Sequence, residues 1–185
     1  MKKISTLFKK DPNDLGRVVN EINPENEWVF DERVKATRKW DGTACAIIDG
    51  ELYKRYDVKK GKAVPENAIP CQEPDFITGH WPHWIKCDRS ENGNKWHFEA
   101  FDSDLNLADG TYELIGPKIQ GNPERVIKHI LMKHGEFELN ILRHNKPTFD
   151  TICYHLMEWD IEGIVFHHPD GRMCKIRKSD FGFKR

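Results

Sequence analysis

The chain has 185 residues, with 29 Lys and Arg against 30 Asp and Glu, a formal net charge of −1 and 32% charged residues. A mean hydropathy of −0.72, without an apolar run near the roughly 20 residues a bilayer crossing needs, excludes a membrane span. The charge balance excludes a surface that coats nucleic acid uniformly, and the length suits one domain, residues 1–185, around one sizeable core.

In chain order, residues 12–22 place Leu15, Val18, Val19 and Ile22 at helical spacing after Asp11, which predicts a short helix. Residues 36–48 and 51–57 suit extended chain, and Asp49-Gly50 between them is a strong two-residue hairpin signal. Pro65, Pro70, Pro74 and Pro82 predict sparse regular structure over residues 61–93, because proline removes ladder donors. Strands are expected over 96–102 and 111–115, a helix over 123–134 with Val126, Ile127, Ile130 and Leu131 inward, and a strand over 138–142. Residues 149–159 carry Ile152, Cys153, Leu156 and Trp159 at helical spacing. Strands over 163–167 and 172–177 then flank the turn Pro169-Asp170-Gly171. The sum is an α+β fold with mostly antiparallel sheets and flanking helices.

The five cysteines, Cys45, Cys71, Cys87, Cys153 and Cys174, are odd in number and scattered, so reduced thiols are expected. The opening MKKISTLFKK lacks the apolar stretch of a signal peptide, and the expected compartment is the cytoplasm. Cys71, His80, His83 and Cys87 match no standard zinc spacing, and no zinc site is expected there. Residues 172–185 hold six basic side chains against the single acid Asp180, which makes the tail a candidate anion-binding element. His167 and His168 are expected to face solvent.

The segment Lys39-Trp40-Asp41-Gly42 is the most informative one. A lysine at a strand end, held by a tight Asp-Gly turn, acts as a nucleophile only when its amine is neutral, and neighbouring cations lower its pKa. Arg38 is adjacent, and Lys175 and Arg177 are candidates to converge on it. In the last strand Cys174 and Ile176 alternate with Lys175 and Arg177, so a period of two buries the first pair and sets two cations on one face, where they suit a phosphate. Glu162 opens the apolar run Gly-Ile-Val-Phe; a buried carboxylate is costly unless it is paired or holds a cation, and Mg²⁺ takes one or two carboxylates with substrate phosphates.

These segments come in a fixed order: Lys39 to Gly42, Lys54-Arg55, Tyr112 to Gly116 within YELIGPKIQGN, Glu162 to Phe166, and Lys175 to Arg177. The set resembles the motifs of the lysine-dependent nucleotidyltransferases, the superfamily of RNA ligases, DNA ligases and mRNA capping enzymes, and is most similar to compact ATP-dependent RNA ligases. The resemblance spans about residues 36 to 180 and implies the adenylylation domain of that superfamily, which is ATP-grasp-like. By this resemblance Lys39 receives the nucleotide, with Lys175 and Arg177 as its catalytic companions and Lys175 on the α-phosphate. Nucleotide binding would fall to Arg38, Asp41, Gly42, Arg55, Glu99, Tyr112, Glu113 and Phe166, and the metal to Glu162 and Glu113. Tyr112, Phe101 and Phe166 are the aromatics available to stack on adenine.

The implied cofactors are ATP and Mg²⁺ or Mn²⁺, and the implied partner is RNA with 5′-phosphate and 3′-hydroxyl ends, with some activity on DNA left open. The basic residues Lys2, Lys3, Lys9 and Lys10 and the C-terminal tail are candidates to clamp the polynucleotide. The expectation is a minimal RNA ligase without an OB-fold module, since the sequence stops soon after Phe183. Besides that stop, one departure lies in the last motif. Arg177 occupies a position where many relatives have lysine, and Lys178, one residue on, points to the opposite face. The same superfamily includes GMP transfer, as in capping, and a nucleotide- or RNA-binding module without chemistry is the rival from another class.

Overall fold

A computed structural model of the chain describes residues 4–59, 61–75, 79–141 and 147–185. It divides into two compact units, one formed by Asp41–His134 and the other by Ile4–Trp40 with Gly135–Arg185.

In the second unit, alternation builds the main sheet. Its strands are β1 (Ser5–Thr6), β4 (Lys35–Lys39), β11 (Gly163–His167) and β12 (Met173–Arg177). Their order is β1-β12-β11-β4, antiparallel except for the β1–β12 pair. Ala36, Ile164, Phe166, Cys174 and Ile176 turn to one face and join Leu7, Phe8, Val29, Ile152 and Leu156 in a buried apolar core. Helix α2 (Phe149–Glu158) contributes Ile152 and Leu156 to that core. Its start is fixed by Thr148, whose hydroxyl accepts the Thr151 N–H at 3.1 Å.

The same unit holds the ribbon of β2 (Phe8–Lys10) and β3 (Val18–Ile22). The expected helix over 12–22 is therefore a turn followed by a strand. Asp11 and Asp14 accept backbone N–H groups from Asn13 and Gly16, which favours turn over helix, and Leu15 is 74% exposed. The paired Val18 and Val19 suit extended chain.

The other unit is built on a six-stranded antiparallel sheet. In chain order its strands are β5 (Thr43–Ile48), β6 (Glu51–Val58), β7 (Ile69–Pro70), β8 (Trp81–Lys86), β9 (Gly110–Ile115) and β10 (Ile130–Lys133). They lie in the order β10-β9-β5-β6-β8-β7. The β5–β6 hairpin turns on Asp49 and Gly50, with φ of 52° and 74°, the left-handed pair that a type I′ turn requires. Cys45, Ile47, Leu52, Tyr112, Leu114 and Leu131 face helix α1 (Lys95–Asp102) and form the second core with Ala100.

Four further expectations are corrected here. Residues 36–48 are not one strand: the chain breaks at Trp40-Asp41-Gly42, and β4 and β5 belong to different sheets. The expected strand over 96–102 is α1, because His97 and Ala100, three apart, are its buried positions. The expected helix over 123–134 is a run of turns ending in β10. Asn122 and Arg125 have φ of 58° and 52°, Asn122 binds both backbone groups of Val126, and Ile127 is 96% exposed. The strand over 138–142 reduces to a bridge between Glu138 and Thr37, and its last residue, Leu142, lies outside the described residues. Among the described residues the proline-rich middle is sparse as expected, apart from β8 and the two-residue β7.

Thr148→Ala removes the α2 cap and is expected to lower unfolding free energy by about 1 kcal/mol, read from a denaturant midpoint at unchanged slope.

Candidate functional site

Strand β11 lies between β4 and β12 and pairs in register with both. Gly163 opposes Lys39 on one side and Arg177 on the other, and Val165 opposes Thr37 and Lys175. Directly opposed residues project to the same face, so Lys39, Arg177, Thr37 and Lys175 share the face opposite the apolar core. Gly163 keeps the middle of the first row clear. A Cβ there would run into the Ile176 carbonyl oxygen and lie 2.9 Å from the Arg177 Cα.

Glu162 immediately precedes that glycine, and the Lys39 ammonium donates to Glu162 Oε2 at 2.5 Å. Each side chain of this pair is 23% exposed, so the contact is neither desolvated nor fully in water. Burial, then the positive charges of Lys39 and Arg177, lowers the Lys175 pKa to about 8. The Arg177 guanidinium is held by Asp180, which also takes the Lys10 ammonium at 2.7 Å. Burial pushes the Asp180 carboxyl up, but the hydrogen bonds from Arg177 and Lys10 outweigh it and keep its pKa below the ordinary range. Lys178 is turned away: its ammonium donates to the Trp159 carbonyl at 2.9 Å, as alternation implies.

Other assigned residues of this unit lie elsewhere. Arg38 alternates to the face opposite Lys39, with its guanidinium 4.1 Å from the Trp40 ring centroid and an N–H donated to the Asp160 carbonyl. Phe166 is completely buried in the core. His168 corrects the solvent-facing expectation: it is buried, with its ring nitrogens near Asp31 at 3.3 Å and Asp170 at 2.8 Å. His167 bonds the Thr37 hydroxyl at 2.9 Å. Of the N-terminal lysines, Lys9 pairs with Glu21, and Lys2 and Lys3 lie outside the described residues.

The six-stranded unit carries a second group of assigned residues. Glu113 opposes Ala44, and Thr111 and Tyr53 oppose Ala46. Alternation from Tyr53 sets Arg55 on the same face, and the two alanines leave the sheet low between Arg55 and Glu113. Glu113 is nearly buried and accepts from His134 Nε2 at 3.0 Å, and His134 Nδ1 meets the Thr111 hydroxyl at 3.1 Å. A carboxylate only accepts, so His134 donates to it through Nε2. Arg55 donates to Asp57 at 3.1 Å. The Asp41 N–H donates to Glu124, and Gly42 lies against the Leu114 carbonyl too closely for any side chain.

Tyr112 takes the other face, buried in the core with its hydroxyl donated to the Ala108 carbonyl at 2.6 Å. Phe101 packs against the same core. Core packing is thus what the geometry gives to Tyr112, Phe101 and Phe166. Glu99 stands on α1 and binds His129, a buried ring stacked on Trp96 with a centroid separation of 4.6 Å. No group of three or more His, Cys, Asp or Glu able to hold a metal ion occurs among the described residues.

Two residues were not singled out by the sequence reading. Asp180 had a signal, being the only acid in a basic tail. His134 had none, because its partners depend on the pairing of β9 with β10.

A face with a lysine, its carboxylate partner and two further cations on adjoining strands is suited to group transfer at a phosphate. The comparisons with known proteins agree in class, since they are consistent with the lysine-dependent nucleotidyltransferases. A model of the RNA ligase 1 family matches residues 103–185, a stretch that contains Glu113, Glu162, Lys175 and Arg177 but not Lys39. RNA ligase 1 of Pongo abelii is 26% identical, and that of Rattus norvegicus 28%, each over 65% of this chain and 49% of the relative. RNA ligase 1 of Danio rerio is 27% identical over 64% of this chain and 45% of its own length. The matched stretches are similar to that family at modest identity, and this chain spans about half the length of those curated relatives. No helix among the described residues is long and apolar enough to cross a membrane.

The lowered Lys175 pKa sets a pH dependence of stability. Below pH 8 the folded and unfolded chains both carry its proton, and the cost of holding the cation is fully present. Between about 8 and the ordinary 10.5 the folded chain releases the proton first, so this residue's contribution to stability rises with pH. Lys175→Met is expected to raise the urea midpoint at pH 7 and to flatten that rise, as measured by paired unfolding curves of wild type and variant from pH 7 to 10.5.

Proposed function

We propose that the chain is an ATP-dependent RNA ligase that joins 5′-phosphate and 3′-hydroxyl RNA ends through a lysyl-AMP intermediate. The observation that carries this reading is the register of β4, β11 and β12, which sets Lys39, Lys175 and Arg177 on one face with Glu162 bonded to the lysine. In the first step the Lys39 amine attacks the α-phosphorus of ATP. A nitrogen–phosphorus bond forms, the bond to pyrophosphate breaks, and the ammonium proton has left beforehand. Glu162, 2.5 Å away, is the group placed to accept that proton. Lys175 and Arg177 oppose the charge that develops on the phosphoryl oxygens.

In the second step the oxygen of an RNA 5′-phosphate attacks the lysyl-AMP phosphorus and frees the lysine. In the third, a 3′-hydroxyl attacks the adenylylated end, seals the strand and releases AMP. Glu162, as a carboxylate at the edge of a polar face, suits Mg²⁺, which takes one or two protein carboxylates with substrate phosphates. When bound, the ion would neutralise phosphate charge. The RNA ligase names of the relatives support RNA as the polynucleotide.

Incubation with α-labelled ATP and Mg²⁺ or Mn²⁺ is expected to label the protein covalently, with no label in Lys39→Ala and at least a hundredfold slower labelling in Lys175→Met, about the loss seen when one oxyanion-stabilising group is removed. An unlabelled wild-type protein overturns the reading. Labelling by GTP in place of ATP redirects it to GMP transfer.

A further inference from the structure

Asp180 is the one carboxylate in the basic run 172–185, and it is 0% exposed. A buried carboxylate without partners is so costly that its surroundings must supply charge and hydrogen bonds together. Here they come from two places in the chain. Arg177 donates its backbone N–H to Oδ2 at 2.8 Å, its Nε–H to Oδ2 at 3.3 Å and an Nη2–H to Oδ1 at 2.9 Å. Lys10, on β2, donates to Oδ1 at 2.7 Å. The 3₁₀ turn Lys178–Phe181 carries the aspartate back to the residue that precedes it.

The contact with Arg177 is side-on. A guanidinium is a rigid planar fork with five N–H groups, so fixing Nε and Nη2 against one carboxylate fixes the whole plane and directs Nη1 away from it. The residue so fixed stands opposite Gly163, in the row that begins with Lys39, where no side chain separates the two. Half-buried Lys175 shares that face. Without Asp180, the three cations on one face would lose a balancing negative charge, and the arginine plane would be free to rotate away from its neighbours.

We propose that Asp180 is a positioning residue for nucleotide transfer: its carboxylate locks the Arg177 guanidinium on the lysine-bearing face, so that the unused N–H groups meet a bound phosphate. This rests on the function proposed above. Lys10 supplies the second positive charge that allows the carboxylate to stay ionised while it is buried.

The test is a double-mutant cycle on the full chain, reading the rate of covalent labelling at saturating α-labelled ATP. Arg177→Ala is expected to slow labelling about a hundredfold. Asp180→Asn, nearly the same shape but with an N–H₂ group facing the guanidinium, is expected to slow it about tenfold or more with less than a threefold change in KM for ATP. The double variant should be no slower than Arg177→Ala. Losses that multiply, or an Asp180→Asn rate equal to wild type, overturn the proposal. Should Asp180→Asn fail to fold, Asp180→Glu keeps the charge, displaces the guanidinium by one methylene, and enters the same cycle with the same expectation.

A second readout does not depend on chemistry. The Arg177 Nε–H, assigned by its loss in Arg177→Lys, should exchange slowly with water in ¹⁵N spectra of the wild type and at least about tenfold faster in the Asp180 variant. Equal exchange in both overturns the proposal. A wild type that forms no lysyl adduct but shows the protected Nε–H refutes the ligase reading while leaving the clamp in place.

Discussion

The placement of strand β11 between β4 and β12 is the constraint on which the polar face depends. One residue in that strand, Gly163, has neighbours on both sides that carry charge, and it carries nothing itself. The close approach of Ile176 and Arg177 to its α-carbon demands glycine. The residues next along the strand, Ile164 and Phe166, anchor the same three strands in the apolar core. Packing on one face therefore fixes the charges on the other, and the site needs no loop to assemble its lysine with its cations.

Charge is distributed unevenly over that face. Three basic side chains stand there, and two acids answer two of them: Glu162 the lysine, Asp180 the arginine. Lys175, one row further along β12 and opposite Val165, is the ammonium whose proton is held weakly, first because it is buried and then because its neighbours are positive. Such an arrangement is unfavourable until an anion arrives, which is the condition under which a phosphate is bound strongly. The other unit solves a different problem. It sets Glu113 in a nearly buried position and fixes it with the histidine that follows the adjacent strand.

The sequence was most readable where a single period or turn decided the outcome. The Asp49-Gly50 hairpin, the alternation of β12, the strand of Gly163 and the helix of Ile152 and Leu156 all belong to this group. Reading failed where two periods fitted the same residues. Val18, Val19 and Ile22 suit a helix face as well as a strand, and only the side chains of Asp11 and Asp14, bonded to nearby backbone, exclude the helix. Trp96 to Ala100 alternate apolar and polar, yet α1 buries positions three apart. The charged members of the site were legible as residue types in order. Their facing was not always so: Arg38, adjacent to Lys39, points to the other side, and Phe166 and Tyr112 are core rings. Asp180 and His134 take their meaning from contacts that no local pattern encodes.

The opposite facing of Arg38 and Lys39 has a consequence for how the chain tolerates error. Sliding β4 by a single position along β11 would turn Lys35, Thr37 and Lys39 inward and lift Ala36 and Arg38 to the polar side. The misaligned sheet would bury two ammonium groups among aliphatic side chains and present a guanidinium, which cannot give up its proton, where the proposed transfer calls for an amine. Foldability and chemistry thus forbid the same slippage, and a sequence change that loosens this alignment cannot harm one without harming the other.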